Sequence, residues 1–333
     1  MADTPTLTEA AVAGRLHQLT ALREAIGCVV VGQHEVVEQL LIGLLAGGHC
    51  LLEGVPGLGK TLLVRALGQA LALDFRRIQF TPDLMPGDII GTEILEEDHG
   101  TGRRVFRFQR GPVFTHLLLA DELNRTPPKT QAALLEAMQE RTVSYAGTTH
   151  RLPEPFFVLA TQNPLEQAGT YPLPEAQLDR FLLQIRVDYP DEAEERAILA
   201  ATTGSAAPAV DPVMDGTALI ALQRLAREVH VGEDLLTWIT RLVRATRPQA
   251  STISEVREWL RWGAGPRAGQ SLVLAAKARA LLNGRLAATR DDVRALAAPV
   301  LRHRLLLSFS AEAERRSSDD VVAALLPAVP FPG

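Results

Sequence analysis

The segment Gly54-Val55-Pro56-Gly57-Leu58-Gly59-Lys60-Thr61 fits the pattern GxxxxGK[ST] at every fixed position. Glycines there let backbone N–H groups turn inward around phosphate oxygens, and a helix starting at Lys60 adds the positive end of its dipole. Lys60 is long enough to reach terminal phosphates, and the Thr61 hydroxyl is a suitable Mg²⁺ ligand. Composition sharpens this reading. Of 34 basic residues only Lys60, Lys129 and Lys277 are lysine, and the other 31 are arginine. In a chain that uses arginine nearly everywhere, Lys60 marks a place where a compact ammonium fits and a broad guanidinium does not. Lys129 and Lys277 have no comparable context.

A second group of residues complements the loop. His116-Leu117-Leu118-Leu119-Ala120-Asp121-Glu122 is an apolar run ending in two carboxylates. Alone, such a pair is an ordinary solvated strand end. After a phosphate loop it points to nucleotide hydrolysis, with Asp121 holding Mg²⁺ through its shell and Glu122 polarising a water. Asn163, in Ala160-Thr161-Gln162-Asn163-Pro164, either orients that water or simply begins an Asn-Pro turn. Arg180, in Leu178-Asp179-Arg180-Phe181, is either a helix-surface arginine or a finger reaching a neighbouring subunit's phosphate. Arg267, after Gly265-Pro266, either points from a second domain toward nucleotide or lies on a solvated face.

These residues need a scaffold, and the pattern predicts one. Residues 49–53, 75–80, 116–120 and 156–161 are short segments expected to be strands, 116–120 nearly all apolar, separated by helical patterns at 60–72 and 128–141. That alternation predicts an α/β fold with a parallel sheet covered on both faces, its ligand at the carboxyl edge. Two hairpins are expected to interrupt it, at 92–108 and 142–152. From Gly216 to about Leu326 every strong pattern is helical, including one helix over 253–262. The tail from Pro327 is expected to be extended. The expected organisation is a nucleotide-binding domain over 1–200, a linker over 201–215 rich in Ala, Gly, Thr and Pro, and a smaller all-α domain over 216–333.

Composition excludes several classes. The length suits about two domains, and 47% hydrophobic residues is too many for a disordered chain. The most apolar stretch, 40–46, is far short of the ~20 residues of a spanning helix. The opening residues show no basic and apolar leader pattern. Cys28 and Cys50 are too few for a disulfide framework and are expected to be buried in a reducing cytosol. A net charge of −5 argues against nonspecific nucleic-acid binding, the exception being the segment Arg103, Arg104, Arg107, Arg110.

The ordered set Gly54–Thr61, Asp121-Glu122, Asn163, Arg180 and Arg267, followed by a helical lid, resembles the AAA+ ATPases. The strings Val31-Gly32-Gln33, Gln79-Phe80-Thr81-Pro82-Asp83-Leu84-Met85-Pro86, Ala120-Asp121-Glu122-Leu123-Asn124-Arg125-Thr126-Pro127-Pro128 and Leu301-Arg302-His303-Arg304 resemble the MoxR family within them. The resemblance runs from about Ile26 to Ala313, with Gly265 standing where the family is expected to carry serine. It implies that Val31, Gly32 and Gln33 lie near adenine, and that Gly54, Val55, Pro56, Gly57, Leu58, Gly59, Lys60, Thr61 and Leu62 surround the phosphates of ATP. It further implies that Asp121 with Thr61 serves Mg²⁺, Glu122 is the catalytic base, Asn163 is sensor 1, Arg180 is the arginine finger in trans, and Arg267 is sensor 2. The hairpins would be an insert in helix 2 and a hairpin preceding sensor 1. Such proteins are bacterial or archaeal cytosolic ATPases, often hexameric. They remodel or assemble protein complexes, commonly with a von Willebrand factor A domain partner. Two alternatives remain open on sequence, a nucleic-acid motor or loader and a nucleotide-timed binding module.

Overall fold

The computed structural model describes residues 9–30, 32–55, 57–97, 104–163, 169–202 and 210–332. Val31, Pro56 and Arg103 lie outside these. Two helices come first, α1 (Glu9–Gly27) and α2 (His34–Ala46), and then β1 (Cys50–Gly54) leads through the phosphate loop into α3 (Lys60–Ala70). β2 (Phe75–Gln79) and the short α4 (Pro86–Ile90) precede an antiparallel pair, β3 (Gly91–Glu97) and β4 (Arg104–Arg110). β5 (Leu117–Asp121) leads to α5 (Pro128–Glu140), a second antiparallel pair β6 (Thr142–Tyr145) and β7 (Thr148–Arg151), and β8 (Phe157–Gln162). α6 (Glu175–Leu178), β9 (Leu183–Val187) and α7 (Glu192–Thr202) complete this half.

β1, β2, β5, β8 and β9 form one parallel sheet in the order β2-β5-β8-β1-β9. Their side chains alternate between two cores, as the period of two in a strand requires. Leu117 and Leu119 of β5, Leu159 of β8, and Cys50 and Leu52 of β1 enter the core shared with α1, α2 and α3. Leu118, Ala120, Val158, Ala160 and Leu51 enter the opposite core, with Leu134, Leu135 and Met138 of α5. Burial on both faces is the reason the central strands β1, β5 and β8 read as nearly continuous apolar runs, whereas the edge strand β2 carries exposed polar residues. α1, α2 and β9 were not read from sequence. The sheet's crossovers bring β1, β5 and β8 side by side, so residues far apart in sequence leave its carboxyl edge as neighbours.

The second half is helical: α8 (Gly216–Glu228), α9 (Glu233–Ala245), α10 (Ser254–Trp259), α11 (Pro266–Leu282), α12 (Arg290–Leu301), α13 (Phe309–Ala313) and α14 (Ser318–Ala328). It also holds a small antiparallel pair, β10 (Leu260–Trp262) and β11 (Leu306–Leu307). The helix expected over 253–262 therefore stops at Trp259. Its last turn is replaced by pairing with a segment more than forty residues away, which local periodicity does not reveal. Likewise the chain is not extended from Pro327, because α14 continues to Ala328, anchored by buried Val321, Val322 and Leu325. Beyond it, Trp238 Nε1 donates to the Val329 carbonyl (2.8 Å) and Phe331 packs on the Trp238 ring. Part of the expected linker, 203–209, lies outside the described residues. Val210 and Met214 are buried, and the Val213 amide donates to the Ala70 carbonyl at the end of α3 (2.7 Å).

One buried carboxylate ties this half together. Asp292 is fully buried and accepts from Arg279 (2.8 Å), Arg285 (2.6 and 2.8 Å) and the Thr289 amide and hydroxyl. Burial would raise its pKa, but the Arg285, Thr289 and Arg279 hydrogen bonds outweigh it and hold it below the usual carboxylate value. Arg279 also pairs with Glu38 of α2 (3.1 Å), linking the two halves. Of the cysteines, Cys50 is buried, but Cys28 is exposed, correcting the expectation. It sits one residue past the end of α1, where the chain has left the core-facing stripe.

Candidate active site

The phosphate loop connects β1 to α3, and its shape is set by Gly57 (φ 88°) and Gly59 (φ 73°). Both occupy the left-handed region that residues with a Cβ rarely adopt. Among the described residues, each glycine's chain neighbours aside, no atom lies within 4 Å of where a Cβ would stand on either, so the loop lies open. A cavity of about 250 Å³ opens above it, lined by Gly57, Gly59, Lys60, Thr61, Arg77, Asp121, Glu122, Thr161 and Asn163. Lys60 is held by a hydrogen bond from Nζ to the Gly54 carbonyl. Partial burial lowers its pKa, while Asp121, Glu122 and Glu53 pull it back up.

Asp121 ends β5 and Glu122 follows it in a left-handed conformation (φ 58°, ψ 48°). Such a conformation is costly outside glycine and needs surrounding contacts to hold it. The Glu122 amide donates to Thr161 Oγ1 (2.8 Å). Its carboxylate accepts from Gln79 Nε2 (2.7 Å) and from Arg125 (2.8 Å). Thr161 Oγ1 in turn donates to Asp121 Oδ1 (2.6 Å), so one hydroxyl fixes both acidic residues. The other Asp121 oxygen accepts from Arg77 Nε (3.1 Å) and from its terminal nitrogen (2.7 Å). Asn163 is buried at the end of β8 and lines the same cavity.

Arg77, Gln79 and Thr161 were missed as site residues by sequence reasoning. A signal existed. β2 carries Arg77 and Gln79 on one face of a sheet otherwise rich in apolar residues, and polar side chains at strand ends face the ligand edge. Thr161 is likewise the polar residue that breaks the run of β8.

Gly32 and Gln33 line a second cavity, of about 340 Å³, with Arg186, Tyr189, Glu194 and Arg302. Gln33 Nε2 donates to the Leu58 carbonyl (3.0 Å), linking this cavity to the phosphate loop. Gly54 is buried, Val55 and Leu58 are half-buried, and Leu62 is exposed on α3. Arg180 and Arg267 do not line the phosphate cavity. Arg180 is half-buried just past α6, and Arg267 lies in the first turn of α11, with its guanidinium 3.6 Å from Asp179 Oδ2. The basic strand β4 faces an acidic one: Arg104 is opposite Glu97, and Arg107 pairs with Glu96 (3.1 Å).

Comparison with known proteins agrees with this architecture. A family model described as "ATPase family associated with various cellular activities (AAA)" matches residues 49–183, and one described as "AAA lid domain" matches 253–325. The chain is 44% identical to Chaperone MoxR1 of Mycobacterium tuberculosis, over 96% of this chain and 84% of that protein. It belongs to the MoxR family of AAA+ ATPases. Protein MoxR of Paracoccus denitrificans is 37% identical over 91% of this chain and 92% of its own. Among solved structures, a putative ATPase from Cytophaga hutchinsonii superposes with a TM-score of 0.90 at 40% identity, covering 98% of both chains. In this MoxR-family chain the lid match covers most of the helical second half, from the start of α10 onward. No described helix is long and apolar enough to cross a membrane.

Proposed function

We propose that the chain hydrolyses ATP with Mg²⁺ to drive chaperone-like remodelling or assembly of protein complexes. The observation that carries this reading is the single cavity in which Lys60, Thr61, Asp121, Glu122 and Asn163 converge over an open glycine loop. The residues fit a hard cation, because the Thr61 hydroxyl and the Asp121 carboxylate are oxygen donors that line the same cavity. Mg²⁺, when bound there, neutralises charge on the β- and γ-phosphates. Lys60 reaches the same phosphates from the loop. Glu122, turned by its left-handed backbone, takes the proton of the attacking water, and Asn163 helps place that water. The adenine ring occupies the second cavity, beside Gly32 and Gln33. On the resemblance alone, Val31 would serve the adenine and Pro56 the phosphates.

Neither Arg267 nor Arg180 lines the phosphate cavity, which suits two charges delivered by other bodies: Arg267 by the lid, Arg180 to the neighbouring subunit. A finger that acts in trans requires a neighbouring subunit, and we infer a homo-hexamer in the bacterial cytoplasm that acts on a protein client with a von Willebrand factor A domain partner. A nucleic-acid client is disfavoured by the net charge and by the acidic strand that neutralises β4.

Glu122→Gln should bind ATP with near wild-type affinity and turn over at least about a hundredfold slower, while Lys60→Ala should lose tight binding. Equilibrium binding and phosphate release measure both. Wild-type turnover by Glu122→Gln would remove the base from this assignment.

A further inference from the structure

We propose that Asp179 is a positioning residue through which nucleotide occupancy felt at Arg267 reaches Arg180. The proposal rests on the roles given to those two arginines above. It starts from the lid string Arg302-His303-Arg304, which has no part in the phosphate chemistry. Arg304 is 3% exposed, and its Nε donates to Asp179 Oδ1 (2.7 Å). Its Nη2 donates to the Phe181 carbonyl (2.7 Å) and to Ser271 Oγ (3.1 Å). His303 Nε2 donates to the same Phe181 carbonyl (3.1 Å), and Arg302 to the Gln184 carbonyl (3.0 Å). The lid thus grips the stretch that carries Arg180 from α6 into β9.

The second oxygen of Asp179 faces Arg267 at 3.6 Å. One carboxylate therefore holds two arginines of unequal freedom. Arg304 is buried among several acceptors. Arg267 is 50% exposed, and this is its one ion pair among the described residues. Half-exposed pairs of this length are weak, so a triphosphate with several charges and charge-assisted acceptors takes Arg267 from Asp179. When it does, Asp179 loses the cation beside Oδ2 while Arg304 still holds Oδ1. Arg180 is the next residue in the chain, and its side chain makes no ion pair among the described residues, so its placement follows the backbone of 179–181. Nucleotide bound in one subunit thereby alters the finger that subunit offers its neighbour.

The test is a double-mutant cycle on the full chain with Asp179→Asn and Arg267→Ala. Affinity for a non-hydrolysable ATP analogue with Mg²⁺ and steady-state hydrolysis are measured for each. Asp179→Asn frees Arg267, so the analogue should bind about threefold tighter while kcat falls about tenfold because Arg180 is misplaced. In the Arg267→Ala background Asp179→Asn should no longer change affinity. A merely structural Asp179 would lower kcat and the melting temperature with no gain in affinity, and that result overturns the proposal. So does an equal gain in both backgrounds. If Asp179→Asn does not fold, the pair Asp179→Asn with Arg304→Met removes both members of this ion pair, and the expected and deciding result is the same gain in affinity, absent in the Arg267→Ala background. If Arg267→Ala alone changes neither affinity nor turnover, the sensor role of Arg267 is what has failed, and the relay falls with it.

Discussion

The Thr161 hydroxyl stands 2.6 Å from Asp121 Oδ1 and donates to it, while receiving the Glu122 amide at 2.8 Å. A residue of one strand thus sets the geometry of the two carboxylates at the end of the next. Thr161→Val keeps the shape and removes both bonds. The Glu122 amide is then left without its acceptor and the left-handed turn loses its support. We expect kcat to fall about ten- to a hundredfold, with ATP affinity within a few-fold of wild type. A Thr161→Ser variant should recover most of the rate, and steady-state kinetics on the three proteins would check both points.

Arg180 should act on a neighbouring subunit. Specific activity of the wild type is therefore expected to rise with protein concentration through the range where the chain assembles. Arg180→Ala should assemble but stay at a low, flat rate, down about a thousandfold at full assembly. Light scattering alongside the ATPase assay separates assembly from chemistry. Activity per subunit that is constant across that range would rule out the trans role.

Asp292 is fully buried between Arg279 and Arg285, and removing it leaves two guanidinium groups without their common partner. Asp292→Ala should cost about 3–5 kcal/mol. Because Arg279 also reaches Glu38, the loss should appear in the unfolding of both halves, as a shift of the denaturant midpoint. A change below about 1 kcal/mol would mean that Arg279 and Arg285 find other acceptors.

His49 is buried and neutral. Its Nδ1 accepts the Val158 amide (3.0 Å) and its Nε2 donates to the Met138 carbonyl (3.1 Å), bridging β8 and α5. Burial lowers its pKa to about 4, against the partial compensation of the Met138 hydrogen bond and with a smaller push from Arg141. The unfolded chain therefore binds this proton first. The stability that His49 contributes is complete above about pH 6.5 and is lost as pH falls from there toward 4. By linkage the loss is about 3 kcal/mol. Chemical denaturation at pH 7.5 and pH 5 should show about 2 kcal/mol of that loss, the rest following below pH 5, and His49→Gln should flatten that slope by one proton. An unchanged slope would place the acid sensitivity elsewhere, with buried His303 the next group to test.

The phosphate loop, the Asp121-Glu122 pair and Asn163 are legible in the sequence because each is a local string. The glycines, the lysine and the end of an apolar run state their chemistry within a few residues. The centre of the parallel sheet is legible for the same reason, since β1, β5 and β8, buried on both faces, read as apolar runs between helical patterns, while the edge strand β9 is not. Family membership follows from those strings in order.

The partners of the carboxylates were settled only by tertiary structure. Thr161, Arg77 and Gln79 come from two other strands, and only the order β2-β5-β8-β1-β9 makes them neighbours of Asp121 and Glu122. The same holds for Asp179, whose hydrogen bonds reach Arg304 and Arg267 from the far half of the chain. A linear sequence carries residue type and local spacing. It does not state which distant side chain will end up across a hydrogen bond, because that depends on crossovers and packing set by the whole fold. The exposed Cys28 and the strand that ends α10 at Trp259 differ from expectation for this reason, each being decided by what packs beside it.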